Sequence, residues 1–254
     1  MSDAVFAALG VTGPGLALLV GVALLAGLVR GFSGFGTALV YIPLASLVLP
    51  PIWVLVTMTV MDLFGPLPNL PRAVRDGRPR QVLGLLAAAA VALLPGLWAL
   101  DRLDEHAFRW LVAALCLGTV ALMAGGWRWH GRMSPPVTLA SGLASGFLGG
   151  VAGLAGPPVI LTYMSAPLPA AVIRANILMY LVAWDVLFAM TLWAQGRLSS
   201  GPLLLGAVLI LPYLGANVAG AAMFRPGRDR LYRAAAYVII TGAALLALPI
   251  WSNP

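Results

Sequence analysis

The sequence predicts an all-α polytopic membrane protein made of two inverted-topology repeats, each a broken, re-entrant helix hairpin followed by three transmembrane helices. Three observations carry that expectation. Of the 254 residues, 61% are hydrophobic and only 9% charged, and several apolar stretches exceed the ~18 residues that mark a transmembrane helix. The arginines gather in a few short connections. Two glycine clusters, Gly31-Phe32-Ser33-Gly34-Phe35-Gly36-Thr37 and Gly146 to Pro158, interrupt apolar segments.

At ~20 residues per span the chain has room for about eight to ten crossings, as a single transmembrane domain with no soluble catalytic part. The net charge of +7 comes from fifteen arginines and eight acidic residues, with no lysine. Ten arginines fall in three connections: Arg72, Arg75, Arg78 and Arg80; Arg128 and Arg132; Arg225, Arg228, Arg230 and Arg233. Positive charge in short loops marks the cytoplasmic side. Nucleic acid as a partner would need a soluble basic face with base-stacking groups, and is not expected. Cys116 is the only cysteine and lies in an apolar segment, so it reads as a small buried hydrophobe and no disulfide within the chain is possible. Met1 to Pro14 lacks the basic start of a cleavable signal peptide, and the first span is expected to direct insertion.

In chain order, Gly15 to Phe32 is the first apolar segment, broken at Ser33-Gly34-Phe35-Gly36. Thr37 to Leu49 follows and is closed by Pro50-Pro51. Its thirteen residues give about 20 Å of helix, too short for ~30 Å of hydrocarbon. The pair therefore reads as a hairpin turning inside the membrane. Ile52 to Leu70 is a span ending in the basic loop Pro71 to Arg80. Gln81 to Leu100 returns to a loop with Asp101, Asp104 and Glu105, and Phe108 to Trp127 runs back to the basic loop Arg128 to Met133. The second half opens with Pro136 to Leu148, the glycine stretch, and Val159 to Ala166, closed by Pro167 and Pro169: a second hairpin. Ala171 to Ala194, Leu203 to Met223 and Leu231 to Trp251 complete it.

With the basic loops 71–80, 128–133 and 225–233 held inside, the two hairpins enter from opposite sides and both termini lie outside. Repeat 1 covers about 14–127 and repeat 2 about 136–251, with the substrate site expected near the midplane between the hairpin tips. Seven of the eight tryptophans fall within a few residues of a span end, as interfacial Trp should; Trp184 alone sits mid-span, beside Asp185.

At a helix break the first N–H groups of the restarting helix lack partners and carry the positive end of the dipole. Thr37 and Val159 are expected to begin two such half-helices, with Gly34, Gly36, Gly153 and Gly156 letting an oxyanion approach the backbone. The competing reading is that glycines permit close helix packing, since Gly27 and Gly31, Gly142 and Gly146, and Gly149 and Gly153 have small-xxx-small spacing. Arg30 lies just before the first break at membrane depth. Either it binds an oxyanion bidentately, or it pairs with Asp62 or snorkels to an interface. Arg174, at a span start, binds anion or snorkels. Asp62 and Asp185 sit near the middle of the span after each hairpin, as coupling acids or as partners for an arginine or for broken-helix N–H groups. Ser33, Thr37 and Asn176 add neutral hydrogen bonds.

Enzyme signatures are lacking: no glycine loop ends in Gly-Lys-Ser/Thr, and His106 and His130 fall in predicted loops on opposite sides, so neither a nucleotide cofactor nor a metal is expected. Gly146-Phe-Leu-Gly-Gly-Val-Ala-Gly-Leu-Ala-Gly-Pro-Pro-Val159, followed by Ile173-Arg-Ala-Asn176, resembles the second-repeat motif of the TauE/SafE family of sulfite and organosulfonate transporters. Gly31 to Pro43 matches the first-repeat motif more loosely, with Gly34-Phe35-Gly36 where many members carry a longer glycine run. The resemblance covers essentially the whole chain. It implies a secondary transporter of a small sulfur-containing anion such as sulfite or sulfoacetate, exporting across the bacterial cytoplasmic (inner) membrane by alternating access. A passive anion channel and a non-transporting membrane interaction subunit are the alternatives. The expected partners are the small anion, the lipid bilayer and, given the glycine-rich faces, a homodimer.

Overall fold

The computed structural model describes residues 9–126, 134–164, 166–223 and 229–251. Among them are eleven α-helices and no strand: α1 (Gly13–Ser33), α2 (Thr37–Ala45), α3 (Pro51–Phe64), α4 (Leu70–Asp76), α5 (Pro79–Leu100), α6 (Glu105–Ala124), α7 (Pro135–Ala152), α8 (Gly156–Met164), α9 (Ala170–Ala194), α10 (Ser200–Met223) and α11 (Asp229–Ala247). Five of these, α1, α5, α6, α9 and α10, are long and apolar enough to cross a membrane. They leave large apolar side chains such as Leu83, Val91, Leu211 and Val218 exposed, the surface a bilayer covers. The fold is that of a polytopic membrane protein. The basic loop 128–133 and residues 225–228 of the third one lie outside the described residues, as do His130, Trp127 and Trp129.

Two stretches differ from the sequence-based expectation. The span expected over Ile52 to Leu70 ends at Phe64, because Pro66 has no N–H to offer the carbonyl of Asp62 and its ring crowds the preceding turn. A short 3-10 turn, Leu67–Asn69, then leads into α4, which occupies most of what was expected to be the basic loop Pro71 to Arg80. In the second hairpin, α7 runs straight through Gly146, Gly149 and Gly150 and stops only at Gly153. Glycine lowers helix propensity but does not by itself end a helix whose face is packed. His106, expected in a loop, lies in the first turn of α6.

The chain forms two compact units. Unit 1 comprises Met1–Gly65, Asp104–Ala121 and Gly196–Pro254; unit 2 comprises Pro66–Leu103 and Leu122–Gln195. Unit 1 holds the first hairpin, α1 and α2, with α10 laid along α1 and α3, and α11 against α2. The α1–α10 seam is made by glycines. A Cβ on Gly31 would stand 2.2 Å from the Asn217 carbonyl oxygen, one on Gly27 2.3 Å from that of Tyr213, and one on Gly220 2.4 Å from that of Leu28. The Arg109 guanidinium of α6 donates to the Ser46 carbonyl at 2.9 Å, satisfying an otherwise open group at the C-terminal end of α2. Cys116, buried as expected, turns its thiol toward the Leu39 carbonyl.

Unit 2 repeats this plan with different helices. The second hairpin, α7 and α8, has α5 laid along α7, while α9 packs on α4, α5 and α8. Gly142, Gly146 and Gly150 of α7 face backbone atoms of α5, and Gly96 of α5 returns the contact. Each unit thus joins a hairpin from one half of the chain to a long helix from the other. A single interval of 119 residues separates Gly34 from Gly153, Thr37 from Gly156, Ala45 from Met164 and Pro50 from Pro169. Both short helices have nine residues.

Candidate functional site

The first tip is built by two left-handed glycines. Gly34 (φ 79°) closes α1, its N–H donating to the Arg30 carbonyl at 2.8 Å, and Gly36 (φ 100°) opens α2. An L side chain at either would be strained. The Ser33 hydroxyl stands 2.6 Å from the Val29 carbonyl and 2.8 Å from the Phe35 carbonyl, and accepts the Phe35 N–H at 3.3 Å, so this predicted ligand fastens the turn itself. The first backbone bond of α2 is Val40 N–H to the Gly36 carbonyl. The N–H groups of Thr37, Ala38 and Leu39 precede it and point into the break. Around Gly34 there is open space.

Against this helix start lies a closed polar ring within unit 1. Arg30 Nη1 donates to Asp62 Oδ2 at 3.3 Å and toward Thr37 Oγ1 at 3.4 Å. The Tyr213 hydroxyl donates to Asp62 Oδ1, a carboxylate oxygen that can only accept. Thr37 Oγ1, 3.1 Å from the Tyr213 hydroxyl, must therefore be the donor in that pair. Four groups from α1, α2, α3 and α10 are mutually satisfied. Arg30, Asp62 and Thr37, all singled out from sequence, meet here, and the pairing left open for Arg30 is made with Asp62. Asp62 itself lies in the last turn of α3 rather than mid-span, because Pro66 shortens that helix.

The second tip has the same backbone and different chemistry. Gly153 (φ 70°) closes α7 with its N–H on the Gly149 carbonyl at 2.9 Å. The short helix restarts at Gly156 rather than at Val159, so Pro157 and Pro158 lie in its first turn and supply no N–H. Only Gly156 and Val159 retain donors there. Gly149 stands where the first hairpin has Arg30, and the Trp184 indole fills that space: a Cβ on Gly149 would come 2.2 Å from the ring. The turn is fastened by Ser145, whose hydroxyl contacts the Ala155 carbonyl and lies 2.5 Å from the Tyr180 hydroxyl.

The remaining candidates lie elsewhere in unit 2. Asn176 is fully buried and accepts the Arg78 N–H through Oδ1 at 2.7 Å, capping the start of α5. Its amide nitrogen faces Gln81 Oε1 at 3.5 Å. Arg174 is exposed in the second turn of α9, and Asp185 is buried in the second half of that helix. Asp185 is not the positional counterpart of Asp62: the 119-residue interval leads from Asp62 to Leu181, one helical turn earlier. Tyr213 and the Ser145–Tyr180 pair were not among the predicted residues. Their one sequence signal is a hydroxyl inside an otherwise apolar span.

A family model described as "Sulfite exporter TauE/SafE" matches residues 19–247. No significant match was found among curated proteins or solved structures.

Proposed function

We propose that this chain, which belongs to the TauE/SafE sulfite exporter family, is a secondary transporter that exports sulfite or a small organosulfonate across the bacterial cytoplasmic membrane by alternating access. The family supplies the class, a transporter of the sulfite-exporter type in a multi-pass membrane protein. What supports the finer reading is a single arrangement: a guanidinium at the end of α1, beside the three N–H groups that open α2 ahead of its first backbone bond.

The two tips are not equal candidates for the anion. The first offers Arg30, the N–H groups of Thr37 to Leu39, and glycines that let an oxygen reach the backbone. By the same count the second offers one N–H group, that of Gly156, and no cation in the equivalent place. The first tip therefore receives the anion in this reading. Asp62 holds the guanidinium that an incoming sulfonate oxygen would claim, through a contact of 3.3 Å, at the long end for charge-assisted bonds, and Thr37 Oγ1 stands 3.4 Å from the same nitrogen. Exchange of carboxylate for substrate keeps Arg30 paired throughout, which matters where an unpaired cation costs at least ~2.5 kcal/mol. Displacement leaves the Asp62 carboxylate beside the bound anion, which makes Asp62 the residue to vary when coupling is tested.

Sulfite or sulfoacetate efflux from proteoliposomes, with and without a pH gradient, tests the assignment. Wild type should saturate with substrate and respond to the gradient. Arg30→Gln should lose at least about tenfold of the flux, the worth of one charge-assisted contact. Wild-type flux in Arg30→Gln would remove Arg30 from the site, and flux that never saturates would replace the transporter by a pore.

A further inference from the structure

Tyr213 is the member of the polar ring around Asp62 that no charge, helix break or glycine cluster announces, and its seat is made by two glycines. The side chain is fully buried. A Cβ on Gly27 of α1 would collide with the Tyr213 carbonyl, and one on Gly65, just past the end of α3, would stand 3.5 Å from Tyr213 Cε1, in contact with the ring. Backbone and ring are thus both packed in place. The hydrogen-bond directions follow from what each group can do. A carboxylate only accepts and a hydroxyl has one proton, so the Tyr213 proton goes to Asp62 Oδ1, the Thr37 proton goes to the Tyr213 oxygen, and Thr37 Oγ1 accepts from Arg30. Asp62 therefore has two donors among the described residues, the Arg30 guanidinium on Oδ2 and the Tyr213 hydroxyl on Oδ1. They part company when an anion arrives. Arg30 is the group that the anion claims, and Tyr213 is the donor that stays.

We propose that Tyr213 is a positioning residue for the anion site: its hydroxyl keeps the Asp62 carboxylate hydrogen-bonded while Arg30 passes to the anion, and so sets how readily Arg30 is released. This role rests on the reading in which the anion binds at the first tip. A carboxylate side chain with only 10% exposure and no donor is costly, so loss of the hydroxyl harms the anion-bound state more than the state in which Arg30 and Asp62 are paired. Arg30, then the sole donor to Asp62, is held back from the anion. Tyr213 does not touch the anion; it acts through Asp62.

Sulfite flux in proteoliposomes, with calorimetric titration of the full-length protein in detergent with sulfite, tests the role. Tyr213→Phe keeps the ring in its seat and removes one hydroxyl. Its KM for sulfite should rise about tenfold, the worth of one hydrogen bond to a charged group, with Vmax within about twofold of wild type. A merely structural role would do the reverse, lowering Vmax through fewer folded molecules and leaving KM unchanged. Asp62→Asn should bind sulfite more tightly than wild type, because the competitor for Arg30 is weakened, and adding Tyr213→Phe to it should change the affinity by less than about twofold. An unchanged KM in Tyr213→Phe, or an equal loss of affinity when it is added to Asp62→Asn, refutes the positioning role; where Arg30→Gln has lost sulfite binding, the tip reading stands without it. Wild-type affinity in Arg30→Gln overturns the tip reading and the role of Tyr213 together.

Discussion

Gly31→Ala is the substitution that most directly tests how unit 1 is assembled. The added Cβ would lie 2.2 Å from the Asn217 carbonyl oxygen, 2.7 Å from the Ala221 nitrogen and 2.9 Å from the Gly220 carbonyl carbon. Ordinary van der Waals contact begins at 3.4 Å, so the first of these is short by about 1.2 Å. No rotamer relieves it, because all three atoms are backbone. Either α10 backs away from α1 or both helices bend. A separation of that size forfeits a quarter to a half or more of each dispersion contact along the seam. Overpacking usually costs about 1–3 kcal/mol, and collision with a rigid helix backbone places this one near 3. For a protein of this size that corresponds to a fall of about 6–12 °C in melting temperature. Cys116 provides the assay. It is the only cysteine, is buried within the same unit, and becomes reactive to a fluorogenic maleimide as the unit unfolds. Gly21→Ala is the control: nothing lies within 4 Å of its Cβ, so the exchange should be neutral or raise stability by up to ~1 kcal/mol. Equal melting of Gly31→Ala and wild type would refute the backbone-contact account of the seam.

Removing one member of the ion pair should hurt more than removing both. Asp62→Asn leaves Arg30 without its carboxylate and should cost about 3 kcal/mol, the lower end of the range for buried pairs, since the two side chains retain 14% and 10% exposure. The double variant Arg30→Gln/Asp62→Asn should recover part of that loss in the same melting assay, and additive losses would contradict mutual pairing. In unit 2, Trp184→Ala should cost about 3–5 kcal/mol by opening a cavity beside Gly149 and removing the ring that stacks on Phe188. Gly149→Ala should destabilise the wild-type protein and cost less in the Trp184→Ala background, where the contact with the Ala155 Cβ at 2.8 Å remains. A loss of the same size in both backgrounds would show that the indole is not what Gly149 accommodates.

The hairpins were legible because their signals are local. Gly34 and Gly36 bracket a turn that only left-handed residues make, and Pro50 and Pro169 mark the next helix starts from sequence alone. The end of α3 is equally local, since Pro66 cannot continue a helix, but the apolar run that carries on to Leu70 masks it. The glycines of α7 are another matter. Gly146 and Gly153 look alike in sequence, yet one is helical against Ala89 and the other ends the helix. What separates them is the Pro157-Pro158 pair, which fixes where a new helix can begin, and the backbone of α5, which no local pattern announces. Tyr213 is the extreme case: 151 residues separate it from Asp62, and only the packing of α10 on α1 and α3 brings the two together.

The two hairpins pair a matching backbone with unequal chemistry. At the 119-residue interval the two hairpins share the left-handed closing glycine, the nine-residue short helix and the following proline. They differ wherever charge would matter. Arg30 is matched by Gly149, Thr37 by Gly156 with two prolines behind it, and Asp62 by Leu181. The two hairpins supply two helix breaks for the same structural reason, the turn geometry. Only one break has then acquired a cation, a carboxylate to hold it and a hydroxyl pair, Thr37 and Tyr213, to complete the ring. The other is closed by an indole and tied by Ser145 and Tyr180. If both breaks served the anion equally, introducing an arginine at position 149 would be the natural way to strengthen the second, and the indole of Trp184, about 2.2 Å from that position's Cβ, leaves it no room. Gly149, part of the glycine stretch that resembles a binding loop, thus seats an indole where the first hairpin has its guanidinium.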